Sequence, residues 1–85
     1  MQSFKYTIKD PEGIHARPAT VIVQAGKKFA CQIKLRKGNT TVDAKRMFGI
    51  LSLGAKQGEE VEFTFDGPDE KEASDKIIDL VKENF

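Results

Sequence analysis

The sequence predicts an α+β sandwich, a sheet of four strands whose apolar face is covered by helices. Three observations lead there. Three runs alternate apolar and polar residues, Phe4-Tyr6-Ile8, Cys31-Ile33-Leu35 and Val61-Phe63-Phe65, and a fourth, shorter segment at Thr41-Val42 follows a turn. Three other segments repeat their apolar residues at helical spacing. The two kinds follow one another in the order strand, helix, strand, strand, helix, strand, helix, and 85 residues suit a single domain spanning residues 1–85.

In the first strand Phe4, Tyr6 and Ile8 share one face, with Lys5, Thr7 and Lys9 on the other. Asp10-Pro11-Glu12-Gly13 is a turn. A helix is expected from Ala16 to Lys28, with Pro18 inside its opening turn, where no intrahelical N–H is needed. Ala19, Ile22, Val23 and Gly26 make its buried stripe, and Lys27 and Lys28 fall in its last turn, where cations complement the dipole. Cys31 sits on the apolar face of the second strand as a small core residue. Gly38-Asn39 closes a tight hairpin to the third strand, which is short and serves as a protected edge.

A short helix runs from Met47 to Leu53 and is ended by Gly54. Ile50 and Leu53 share one side of it. Met47, Phe48 and Leu51 form a second patch, rimmed by Lys45 and Arg46, which a two-turn helix cannot also bury against a sheet. Such a patch reads as a partner surface. Gln57-Gly58-Glu59 and Asp66-Gly67-Pro68 are the turns on either side of the fourth strand. Asp69 is placed to cap the last helix, Glu70 and Glu72 lie in its first turn, and Ala73, Ile77, Leu80 and Val81 form its buried stripe.

The formal net charge of +1 divides unevenly. Residues 1–46 carry ten Lys and Arg against three Asp and Glu, while residues 47–85 carry four against ten, so the halves stand at +7 and −6. The basic half favours acidic partners. No apolar run is long enough to span a bilayer and no secretory signal is visible, so a cytoplasmic protein without stable membrane insertion is expected. A single cysteine forms no internal disulfide, which fits a reducing compartment. The strands lack a row of exposed aromatics and no RNA-binding signature is present, so nucleic acid is not an expected partner. One histidine and no cysteine pair give no ligand cluster, so neither a metal nor a cofactor is expected.

The chemistry concentrates in Gly13-Ile14-His15-Ala16-Arg17-Pro18-Ala19, which holds the only histidine of the chain. At the helix start, His15 stands where unpaired N–H groups and the positive end of the dipole point. Arg17 adds a cation beside this anion site. Imidazole leaves a neutral, nucleophilic nitrogen available near neutrality. Together these groups suit one task. They accept a phosphoryl group on nitrogen, hold its oxygens through Arg17 and the N–H groups of Ala16 and Arg17, and release it again.

This heptapeptide resembles the active-site signature of HPr, the phosphocarrier family of the phosphoenolpyruvate-dependent sugar phosphotransferase system. Asp43-Ala44-Lys45-Arg46-Met47-Phe48-Gly49-Ile50-Leu51-Ser52-Leu53-Gly54 is similar to the family's short-helix signature, at the family's separation, and the resemblance covers the whole chain. It implies an HPr-like open-faced β-sandwich, a four-stranded antiparallel sheet covered on one side by three helices (βαββαβα). It implies further that His15 is the phosphohistidine and attacks through Nδ1. The phosphoryl would come from phospho-Enzyme I and pass to a sugar-specific EIIA domain, so the chain acts as a carrier rather than an enzyme. Met47, Phe48 and Leu51, with Lys45 and Arg46, would dock both partners, and a monomer is expected. The family commonly has a regulatory serine where this chain has Arg46, so that switch is expected to be absent. An HPr-like regulatory protein, or a phosphorelay serving nitrogen control, is the alternative reading.

Overall fold

A computed structural model describes all residues from Met1 to Phe85. Its elements are β1 (Gln2–Thr7), α1 (Ala16–Gly26), β2 (Gln32–Lys37), β3 (Thr40–Asp43), α2 (Met47–Ser52), β4 (Glu60–Asp66) and α3 (Glu70–Asn84), in the order the sequence predicts. The strands pair in the spatial order β1-β4-β2-β3, every neighbour antiparallel, so the short β3 is indeed an edge. The hairpin between β2 and β3 turns on Gly38, whose φ is +59°, and Asn39, whose φ is negative. This is the sign pattern of a II′ turn, with glycine at its first central position.

The alternation read from sequence is realised as rows of side chains running across the sheet. Phe4 of β1 opposes Phe63 of β4, which opposes Leu35 of β2, which opposes Val42 of β3. The neighbouring row, Lys5, Glu62, Arg36 and Thr41, points to the uncovered face, and there Arg36 donates to Glu62. Apolar cross-strand pairs on one face and opposite charges on the other fix the register, because a slip of one residue would exchange the faces. α1 packs between α2 and α3 over the apolar face. Ile22 of α1, Ile50 of α2 and Ile77 of α3 meet Ile33, Leu35, Val61 and Phe65 from the strands in one buried cluster. Burying a side chain of this kind stabilises by about 1.5–3 kcal/mol.

Two local expectations are corrected. α1 stops at Gly26, so Lys27 is its C-cap and Lys28 lies outside the last turn. The Lys28 and Phe29 N–H groups donate to the Ala25 and Gly26 carbonyls, three residues back rather than four, and this tightened turn ends the helix. Asp69 does stand at the N-cap position of α3, but its carboxylate does not cap that helix. It accepts instead from the N–H groups of Ala30 and Cys31, at 2.8 Å each. The cause is the close approach of Gly67, where a Cβ would lie 2.6 Å from the Cys31 Cα. That contact draws the entry to β2 onto the carboxylate. The Ala30 N–H, followed by the Cys31 groups, holds the Asp69 carboxyl below its usual range. Cys31 just precedes β2 and is buried, and burial pushes its thiol pKa up, as suits a core residue.

Candidate functional site

The loop from β1 to α1 is held at three points before it reaches His15. The Lys9 and Asp10 N–H groups donate to the Phe85 carbonyl oxygen at 2.6 and 2.8 Å, and the Phe85 side chain is buried in the core. The Gly13 N–H donates to the Asp10 carbonyl at 2.9 Å, closing the turn. The Ile14 N–H donates to the Ala55 carbonyl, also at 2.9 Å, which ties the loop to the segment after α2. Gly13 has a φ of +68°, and a Cβ there would overlap the Ala55 carbonyl oxygen and lie 2.9 Å from the Lys56 Cα. Only glycine fits both the backbone conformation and the approach.

His15 is the N-cap of α1, in extended conformation, and makes no side-chain cap bond. No protein acceptor reaches the N–H groups of Ala16 and Arg17, and Pro18 has none. The ring is a third exposed and turned back over the turn. Its Nε2 lies 3.2 Å from Asp10 Oδ2 and 3.4 Å from Glu12 Oε2. Asp10 Oδ1 accepts from the Glu12 N–H at 2.9 Å. That bond, and then the histidine, hold the Asp10 carboxyl below its ordinary pKa. A carboxylate can only accept, so in the neutral ring this hydrogen bond is made by a proton on Nε2, and Nδ1 then carries the lone pair. Arg17 is exposed and pairs with no carboxylate.

By sequence alone Asp10 and Glu12 are turn residues, and one histidine with no cysteine pair offers no ligand cluster. The turn corrects that count. It folds both carboxylates onto the ring, with one ligand atom from each of the three residues within 4.8 Å of the others. Two acids within five residues of a lone histidine, across a Pro-Glu-Gly turn, were the available signal.

The second constellation is less uniform than its sequence suggests. Phe48 is 89% exposed, whereas Met47 and Leu51 are half-buried and packed on the core. The Thr20 hydroxyl of α1 lies 3.9 Å from Met47 Sδ and joins this patch to the helix that starts at His15. Arg46 is exposed, with Nε 3.5 Å from Asp43 Oδ2. Lys45 does not project from the rim, because its ammonium donates to the Phe29 carbonyl at 2.7 Å. Val23, Lys27, Arg46 and Phe48 line a shallow hollow between α1 and α2.

An open-faced four-stranded sandwich with a lone histidine at the first helix start defines the class of small phosphocarrier proteins. The family described as PTS HPr component phosphorylation site matches residues 2–83, and the chain belongs to the HPr family. It is similar to HPr-C-His from Thermoanaerobacter tengcongensis, with 42% identity over 100% of this chain and 96% of that one and a TM-score of 0.92. The histidine-containing phosphocarrier protein of a Mycoplasma superposes with a TM-score of 0.94 at 27% identity, covering 96% of this chain and 93% of that one. Crh, the catabolite repression HPr of Bacillus subtilis, is 34% identical over 99% of this chain and 97% of that one, with a TM-score of 0.78, and its crystal structure is a domain-swapped dimer. The architecture is the antiparallel sheet with three helices that the resemblance implies. No helix is long and apolar enough to cross a membrane.

Proposed function

We propose that this protein accepts a phosphoryl group from phospho-Enzyme I on Nδ1 of His15 and passes it to a histidine on a sugar-specific EIIA domain. The observation that carries the reading is the Asp10 carboxylate on Nε2, which leaves Nδ1 as the nucleophile. Nδ1 attacks phosphorus as the N–P bond of the donor phosphohistidine breaks. Nε2 keeps its proton, so positive charge develops on the ring, and the Asp10 carboxylate faces that charge, the logic of a histidine–aspartate pair. Arg17 and the Ala16 and Arg17 N–H groups receive the phosphoryl oxygens. Transfer onward reverses the geometry, with the EIIA histidine attacking the same phosphorus.

Docking on this reading is centred on Phe48, with Met47, Leu51 and Arg46 around it, and a single chain supplies the whole surface. A histidine with an acidic turn behind it favours carriage over a purely regulatory role. The test is incubation with Enzyme I and phosphoenolpyruvate, followed by mapping of acid-labile phosphate. His15 alone is expected to be labelled, and His15→Ala is expected to fold normally and to take no label. Enzyme I-dependent labelling of folded His15→Ala overturns the assignment.

A further inference from the structure

We propose that Asp10, Glu12 and His15 form a zinc site whose occupation switches the carrier off, an inference that rests for its effect, though not for the site itself, on His15 being the phosphoryl acceptor. Zinc binds imidazole nitrogen and carboxylate oxygen at about 2.0–2.2 Å, so the edges of its coordination tetrahedron are about 3.4 Å. The Nε2–Oδ2 and Nε2–Oε2 separations are 3.2 and 3.4 Å. The third edge, between the carboxylates, lies within 4.8 Å and closes by rotation of Glu12, whose side chain is 74% exposed. Three protein ligands then leave one position to water.

The backbone under these ligands is fixed before any ion arrives. Asp10 is anchored through its N–H to Phe85 and through Oδ1 to the Glu12 N–H, so Oδ2 is the free oxygen and it already points at the ring. The site contains an imidazole, which distinguishes it from an acidic cluster that would take magnesium or calcium.

The consequence for transfer follows from the ring's two nitrogens. In a neutral ring that keeps its contact with Asp10, a carboxylate that can only accept, the proton is on Nε2 and the lone pair on Nδ1. Zinc takes the Nε2 lone pair, and the one proton of the neutral ring must then reside on Nδ1. The tautomer is exchanged with no net gain or loss of protons. Nδ1–H has no in-plane lone pair left to attack phosphorus. The same ion also places positive charge against the ring, where charge must develop in transfer.

The test has two separable arms. Zinc binding is measured by calorimetry on the whole protein, without phosphotransfer components, for the parent and for Glu12→Gln. Imidazole nitrogen resonances are followed in the same titration. A single zinc is expected, with Nε2 metallated, Nδ1 protonated, and Glu12→Gln binding at least about tenfold more weakly. Phosphoryl acceptance is then measured with increasing zinc, each protein against its own zinc-free rate. The parent is expected to be inhibited over the range in which it binds zinc, and Glu12→Gln only at correspondingly higher concentration, with the same donor enzyme controlling for zinc acting on the donor. Equal zinc affinity in the two proteins, magnesium binding as tightly as zinc, or zinc on Nδ1 overturns the site. Undiminished transfer by the zinc-loaded parent overturns the switch. Absence of any zinc-free transfer refutes the carrier reading instead, and the calorimetry still decides the site.

Discussion

Asp10 and His15 face each other through Oδ2 and Nε2 at 3.2 Å, and His15 Nδ1 has no protein hydrogen-bond partner. The carboxylate that orients the ring also fixes which nitrogen is free. Asp10→Asn keeps the size of the side chain but removes the charge, and its amide can present a donor to Nε2 and favour the other tautomer. Acceptance of phosphate from Enzyme I should slow by about tenfold, less than for a buried histidine–aspartate pair because water reaches this site. The rate, together with the ring nitrogen chemical shifts, checks this. An unchanged rate with an unchanged tautomer would remove Asp10 from the mechanism.

Arg17 is exposed and free of carboxylate partners, so it is available to an incoming phosphoryl group. Lysine keeps the charge but loses the planar fork that grips two oxygens at once. Arg17→Lys should lower transfer in both directions by roughly an order of magnitude. Its melting temperature should match the parent's. Parent-like transfer rates would show that charge alone suffices.

Phe48 projects almost wholly into solvent from α2, while the apolar residues beside it lean on the core. Phe48→Ala should therefore change stability by no more than about 0.5 kcal/mol. Removing an aromatic anchor from the centre of an interface should weaken binding of Enzyme I and EIIA by about 2 kcal/mol or more. Calorimetric affinities, with circular dichroism as the control on folding, measure both. Met47→Ala is a poorer probe, because the half-buried Met47 also packs on the core and touches Thr20.

Asp69 links the last turn before α3 to the start of β2, and its pKa is lowered by the Ala30 N–H first and the Cys31 groups after it. A folded pKa below the unfolded value means that the unfolded chain takes up the proton first as pH falls. The stability Asp69 contributes is present in full above its ordinary value of 3.8 and is lost as pH drops below it through the folded value. Asp69→Asn should lower the urea midpoint at pH values near neutrality. The gap from the parent should narrow below pH 3.8. A gap that stays constant with pH would show that the carboxylate charge is not what holds these two N–H groups.

Periodicity places β1, β2, β4, α1 and α3, because each has one face to bury and the spacing of its apolar residues says which, while the short β3 and α2 are read from the hairpin turn before one and Gly54 after the other. Phe63 and Leu35 oppose each other in the sheet just as their alternation requires. The start of α1 was equally legible, since Pro18 can only stand near a helix start. What periodicity does not carry is direction at the polar ends. Asp69 has the right type and position for a cap, yet Gly67 packs against Cys31, far away in sequence, and the carboxylate accepts from the Ala30 and Cys31 N–H groups there. Lys45 reads as a free rim cation beside Arg46, but its long side chain reaches back to a carbonyl that only the fold brings near. Asp10 and Glu12 are not legible as site residues for a related reason. Turn residues are explained by the turn, and nothing in their spacing says that their side chains curl onto the imidazole.

Arg46 occupies the N-cap of α2 in extended backbone conformation and makes no cap bond with its side chain. A serine at this position has a hydroxyl that can accept from the first free N–H groups of the helix, as at other N-caps. Arg46→Ser should therefore raise stability by about 1 kcal/mol. Little is lost in exchange, because the Arg46–Asp43 pair is long, at 3.5 Å, and both side chains are at least half exposed. For a domain of this size that gain corresponds to a melting temperature higher by roughly 4–8 °C. Function should move the other way. Arginine keeps a cation beside Phe48, and the variant should bind acidic partners more weakly at low salt, with the difference fading as salt is added. The parent has no hydroxyl here for a serine kinase of the HPr system. Ser52 is no substitute, since it sits at the end of the helix with its hydroxyl donating to the Gly49 carbonyl at 2.7 Å. Incubation with that kinase and ATP should label Arg46→Ser and leave the parent unlabelled. Stoichiometric serine phosphate on the parent would refute the loss of the switch. A variant that melts no higher than the parent would refute the capping argument, and equal Enzyme I affinities at low salt would refute the electrostatic one.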